Sequence, residues 1–134
     1  MFPDKIELKP EQDTPGVIFD AEKNEFKIFG RSFPADAEKF YQDLLKWLDD
    51  YKNTNPKEPL VLEVRMEYFN TASAKFLLDI FFKLEDIKET GCPVIIKWFY
   101  AEDDDDMLEA GEEFEEIVEI DFDFIEYEEI EYDE

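Results

Sequence analysis

The stretch Asn70-Thr71-Ala72-Ser73-Ala74-Lys75 carries two hydroxyls and one amine, just after the apolar run Leu60-Val61-Leu62-Glu63-Val64-Arg65-Met66 and at the head of a helical apolar period. The first turn of a helix has backbone N–H groups without partners inside the helix, and it is the positive end of the helix dipole. A phosphate is well tolerated there. Phosphorylation of a threonine or serine adds about −1.5 to −2 charges. Thr71 is therefore the first candidate for reversible phosphorylation, and Ser73, in the same helix start, is the second. Asn70, Thr71, Ser73 and Lys75 together make the candidate partner-binding patch. The plainer reading is that Asn70 or Thr71 simply caps the helix.

Other chemistry is sparse. The chain has no histidine, which removes the commonest general base and metal ligand and the Ser-His and Cys-His schemes. The four glycines, Gly16, Gly30, Gly91 and Gly111, stand apart, so no glycine-rich phosphate loop is formed. Asp103-Asp104-Asp105-Asp106 with Glu109, Glu112 and Glu113 could gather calcium. An EF-hand loop begun at Asp103, however, needs glycine sixth and glutamate twelfth, and Leu108 and Phe114 stand there. A solvated helix start is expected instead. No spacing singles out two of the 38 acids as a glycosidase pair. The expectation is a protein that is not an enzyme, with no catalytic residue, metal or cofactor. The one cysteine, Cys92 in Cys92-Pro93-Val94-Ile95-Ile96, is expected to be buried as a small hydrophobe.

The elements that must hold the hydroxyls follow from periodicity. Residues 1–16 read as an entry arm with a short strand at Ile6-Glu7-Leu8. Val17-Ile18-Phe19 and the alternating Glu25-Phe26-Lys27-Ile28-Phe29-Gly30 make a hairpin. Phe40, Leu44, Leu45, Trp47, Leu48 and Tyr51 recur at helical spacing, and Asp36 can cap that helix. The strand 60–66 precedes a second helix from Asn70 or Thr71 to about Glu89, with Phe76, Leu77, Ile80, Phe81, Leu84 and Ile87 as its apolar side and Gly91 as its stop. Val94 to Tyr100 is a strand. A third helix runs from Asp104 to about Glu116, with Met107, Leu108, Ala110, Phe114 and Ile117 apolar. Val118, Ile120, Phe122 and Phe124 suggest a last strand, and residues 125–134 read as an acidic tail after a single domain ending at 124. The order is β-hairpin-α-β-α-β-α-β, an α/β fold in which the strands joined by helices pair in parallel.

Charge is uneven. The formal net charge is −24, and residues 101–134 supply −19 of it, with no lysine or arginine among them. Such a field repels nucleic acids and anionic membranes and attracts basic protein surfaces. This motivates an alternative function: an acidic decoy that occupies a basic surface on a protein partner whatever the state of Thr71. Met1-Phe2-Pro3-Asp4-Lys5 lacks the basic start and apolar run of a signal peptide, and no segment approaches the ~20 apolar residues of a membrane span. A cytoplasmic protein is expected.

The segment Tyr68-Phe69-Asn70-Thr71-Ala72-Ser73-Ala74-Lys75, continued by Asp79-Ile80-Phe81, resembles the SiaC family of bacterial regulatory phosphoproteins. Trp98-Phe99-Tyr100 followed by acids and Ala110-Gly111-Glu112-Glu113-Phe114 extend the resemblance, as does the Trp47-Leu48 helix, so that it covers roughly residues 14–124. The family looks like the SpoIIAA-like, or STAS-like, anti-sigma-factor antagonists. The resemblance implies a mixed sheet flanked by helices and a partner-switching role in biofilm regulation. A cognate Ser/Thr protein kinase would phosphorylate Thr71 and a PP2C-like phosphatase would reverse it. The unmodified form would bind and activate a diguanylate cyclase or other signalling protein. The acidic end, Glu126 to Glu134, is longer than the resemblance leads one to expect.

Overall fold

The computed structural model of the chain describes residues 2–128; the rest of the expected tail, 129–134, lies outside the described residues. The elements are β1 (Ile6–Leu8), β2 (Gly16–Asp20), β3 (Glu25–Ser32), α1 (Ala37–Lys52), β4 (Leu60–Phe69), α2 (Thr71–Glu89), β5 (Val94–Ala101), α3 (Asp105–Ile117) and β6 (Asp121–Tyr127). The strands form one six-stranded sheet in chain order. β1, β2 and β3 pair antiparallel, while β3, β4, β5 and β6 pair parallel. The mixed α/β sheet is the one the alternation of periods predicts.

Register shows which face each strand residue occupies. Phe19, Phe26, Leu62, Ile96 and Phe122 stand side by side across β2 to β6. Trp47 of α1 lies 5.3 Å from Phe19, Phe81 of α2 lies 5.9 Å from Phe122, and Phe114 of α3 lies 5.6 Å from Trp98. Strand side chains alternate between faces, and all these partners share one. The three helices therefore cover the same side of the sheet. The opposite side, with Lys27, Phe29, Glu63, Arg65, Lys97 and Phe99, has no helix of the described residues over it.

Three expectations shift. β6 continues to Tyr127, because Ile125, Glu126 and Tyr127 still pair with Phe99, Tyr100 and Ala101. The alternation breaks after Phe124 because Ile125 turns to the uncovered face, where an apolar side chain also packs. In α1 the buried set is Ala37, Tyr41, Leu44, Trp47, Leu48 and Tyr51, with Phe40 and Leu45 only half-buried. One residue is 100° of helix, so local spacing leaves the centre of the stripe uncertain by that much. In α3, Ile117 is 54% exposed, since the helix ends there and leaves the sheet. Cys92 is buried, its thiol donates to the Glu58 carbonyl at 3.2 Å, and burial pushes its pKa up.

Candidate functional site

A bulge delivers the chain to the start of α2. Gly30, at φ +98°, sits opposite Met66, but Arg31 sits opposite Tyr68, so Glu67 is the extra residue. A bulge of this kind re-aims the side chains that follow it. Glu67 and Tyr68 both face solvent, while Ser32 is fully buried and Phe69 meets Trp98 edge-on at 6.3 Å.

Asn70 then caps α2. Its backbone is extended, its N–H donates to the Ser32 carbonyl at 3.1 Å, and its side-chain oxygen accepts from the Ser73 N–H at 2.9 Å. Beneath the cap lies a buried node of three hydroxyls. Ser32 Oγ is 2.7 Å from Ser73 Oγ and 2.5 Å from the Tyr41 oxygen. The Tyr41 ring stacks on Phe76 of α2 at 5.6 Å. Burial raises the Tyr41 pKa, and the hydrogen bonds to Ser32 and Ser73 oppose that rise. β3, α1 and α2 are thus tied together just below the first turn of α2.

The candidate residues separate by depth. Thr71 is exposed as the first residue of α2, Lys75 is exposed one turn later, and Asn70 is half-buried with its side chain engaged in the cap. Ser73 is fully buried and hydrogen-bonded. Named from the sequence as a second phosphoacceptor and contact residue, it has no accessible surface in this fold. The physical reason is helical phase, because position 73 lies about 200° around the helix from 71. Ser32 and Tyr41, which seal Ser73 in, have no local sequence signal; only the bulge and the α1–α2 packing bring them together.

The charge at this helix start is also distinct. α1 begins with Asp36 as cap and Glu38 in its first turn, and α3 with Asp104 as cap followed by Asp105 and Asp106. α2 has a neutral cap and no acid in its first turn. Its positive end is the one that its own carboxylates do not counter. Asp104, from the acidic run, accepts from the Met107 N–H at 3.0 Å, so one oxygen of that cluster is committed to the cap. Among the described residues no group of three or more Asp, Glu, Cys or His could hold a metal ion.

An open groove of about 470 Å³ lies at the carboxyl ends of the parallel strands, with Arg31, Phe33, Glu67, Tyr68, Asp104 and Tyr127 on its walls. Tyr68 is 51% exposed and its ring meets Phe33 at 5.8 Å. That end of a parallel sheet is where ligands of α/β folds usually sit. Arg31 and Phe33 carry no motif in the sequence. No helix of the described residues is long and apolar enough to cross a membrane.

Comparison with known proteins converges on one family. The profile of the SiaC family regulatory phosphoproteins matches residues 8–127. An uncharacterised protein of Pseudomonas aeruginosa (strain UCBPP-PA14) is 30% identical over 105 residues, covering 78% of this chain and 82% of that protein. The solved structure of SiaC of Pseudomonas aeruginosa superposes with a TM-score of 0.82 at 26% identity, over 92% of this chain and 98% of that one. A crystal structure of the diguanylate cyclase SiaD in complex with its activator SiaC, from the same organism, matches with a TM-score of 0.84 at 26% identity, over 91% of this chain and 99% of that one. The fold and sequence together make this chain a member of the SiaC family of regulatory phosphoproteins.

Proposed function

We propose that this chain is a non-enzymatic switch protein whose unmodified form binds and activates a signalling partner, a diguanylate cyclase, and releases it when Thr71 is phosphorylated. The observation that carries the reading is the depth of the two hydroxyls: Thr71 is exposed at the start of α2, whereas Ser73 is sealed in the buried node. The SiaC relative solved as the activator of a diguanylate cyclase supports the choice of partner. A cognate Ser/Thr kinase and a PP2C-like phosphatase would write and erase the mark.

The mechanism is local. The Ser32–Tyr41–Ser73 node and the Asn70 cap hold the first turn of α2, so a phosphate on Thr71 changes charge without displacing the backbone. A partner surface shaped for a neutral hydroxyl then faces about two negative charges. An uncompensated buried charge costs several kcal/mol, and each ~1.4 kcal/mol is tenfold in affinity.

The test has two parts. Intact mass after incubation with the cognate kinase should rise by one phosphate mapped to Thr71, with no gain in the Thr71→Ala variant. Capture of the purified cyclase should be kept by Thr71→Ala and drop at least tenfold for Thr71→Asp. Equal capture by the unmodified protein and both variants would sink the switch.

A second reading is favoured by the acids of α3 and β6, among which Glu109, Glu112, Glu113, Glu116 and Asp123 are exposed. An acidic decoy for a basic protein surface would lose affinity steeply with salt and ignore Thr71. It is distinguished by capture that survives Thr71→Asp but fails when residues 129–134 and the acids of α3 are neutralised.

A further inference from the structure

The side of the sheet without helices carries a charge order that no ion pair among the described residues uses. Lys27, Glu63, Lys97 and Asp123 stand in register on β3, β4, β5 and β6, so one row across these four strands reads plus, minus, plus, minus. Among the described residues the ion pairs are Lys46–Asp50 and Lys83–Asp49, and neither belongs to this row. The next row toward the carboxyl ends is Phe29, Arg65, Phe99 and Ile125. There the Arg65 guanidinium lies 4.1 Å from the centre of the Tyr127 ring and 5.6 Å from that of Phe99.

We propose that this face binds a second copy of the same chain, the two sheets stacking about a two-fold axis that runs parallel to the strands between β4 and β5. That operation reverses strand order and keeps position along the strand. Lys27 then meets Asp123 of the second copy and Glu63 meets Lys97. In the next row Phe29 meets Ile125 and Arg65 meets Phe99, a cation over a ring. Each contact occurs twice, as a two-fold interface requires. A two-fold axis laid along the charge row instead would set Lys27 on Lys27, which like charge opposes. Stacked sheets accept this geometry at ~10 Å separation and within ~30° of alignment.

The charge balance argues for a second copy over another occupant. The molecule carries −24, yet the four charges that β3 to β6 bring to this row sum to zero; Glu7 continues the row on β1, outside the overlap. Two copies repel almost everywhere else and can approach where the signs cancel. The one like-charge meeting is Glu25 with Asp121, at the strand starts, where solvent screens it. With the axis between β4 and β5 only β3 to β6 overlap; at ~4.8 Å spacing and ~7 residues at ~3.3 Å they present roughly 330 Å² in projection, well below the ~800 Å² per partner of a standard interface. The dimer is accordingly weak and concentration-dependent. The proposal is independent of Thr71, which lies on the helix-covered side.

Sedimentation equilibrium of the full chain over a concentration series, with Lys27→Glu, Asp123→Lys and their equimolar mixture, tests it. The unaltered protein should show a monomer–dimer equilibrium. Each single variant sets like charges across the axis twice and should raise the dissociation constant at least tenfold. The mixture should recover the dimer, because each reversed charge meets the other's. Monomer at every concentration, variants that dimerise as well as the unaltered chain, or a mixture no better than its parts would overturn the proposal. The crossed pair Glu63→Lys and Lys97→Glu gives the same reading should either first variant lose its native circular dichroism.

Discussion

The starts of α2 and α3 occupy equivalent places, at the carboxyl ends of the adjacent parallel strands β4 and β5, and they are held in different ways. α2 rests on a polar node, with Ser73 bonded to Ser32 and Ser32 to Tyr41, and its first turn carries no acid. α3 rests on one aromatic ring. The Trp98 indole N–H donates to the Met107 carbonyl at 2.9 Å, and Gly111 lets the helix close on that ring, since a Cβ there would stand 2.5 Å from the indole nitrogen. Its first turn is already countered by Asp104, Asp105 and Asp106. The same scaffold position thus yields one helix end filled with negative charge and one with a rigid base and an unopposed dipole. A phosphate added at α2 meets no acid of its own first turn; at α3 it would meet two, with the Asp104 cap beside them.

The contrast can be broken from either side. Trp98→Ala should have the largest effect, about 3–5 kcal/mol in urea unfolding, because it removes a fully buried side chain and the seat of α3. A loss no greater than that of a surface substitution would show that α3 is held by something else. Tyr41→Phe should cost about 1–3 kcal/mol by taking one partner from the buried node. A double-mutant cycle with Ser73→Ala should show coupling between the two, and strict additivity would deny that the node acts as a unit.

Alkaline pH probes the covered side as well. Burial holds the Tyr41 pKa above its ordinary value and pushes Tyr51 up to about 12. A folded value above the unfolded one of ~10 means the fold retains the proton more tightly. That contribution is complete below pH ~10 and is lost as pH climbs toward ~12. The urea midpoint should therefore begin to slip near pH ~9, where the buried Cys92 thiol starts to count, and fall further above pH ~10, with Tyr51→Phe flattening that further fall; a midpoint unmoved above pH ~10 would contradict the burial of these phenols.

The smaller effects sharpen the comparison of the two helix starts. Asn70→Ala and Asp104→Ala should each cost about 1 kcal/mol as lost caps. Thr71→Asp should stabilise the fold by about 0.3–1 kcal/mol, read as a slightly higher thermal midpoint, because α2 has no acid of its own there, and the gain should shrink with salt. A destabilised Thr71→Asp protein would mean the first turn of α2 does not welcome negative charge, and the phosphate would need another explanation.

The order of strands and helices, the parallel pairing and the start of α2 at Asn70 or Thr71 were legible from residues alone, because period-two and period-3.6 patterns and capping chemistry act over a few neighbours. The burial of Ser73 beside an exposed Thr71 was not. Both hydroxyls stand in the same turn, and which one is buried depends on Ser32 and Tyr41, residues 41 and 32 positions away from Ser73 along the chain. The charge row Lys27, Glu63, Lys97 and Asp123 was equally hidden, since its members come from four strands and only register aligns them. Short-range pattern determines which elements form; contact between distant segments decides which side chains are sealed, which stay open and which stand in line.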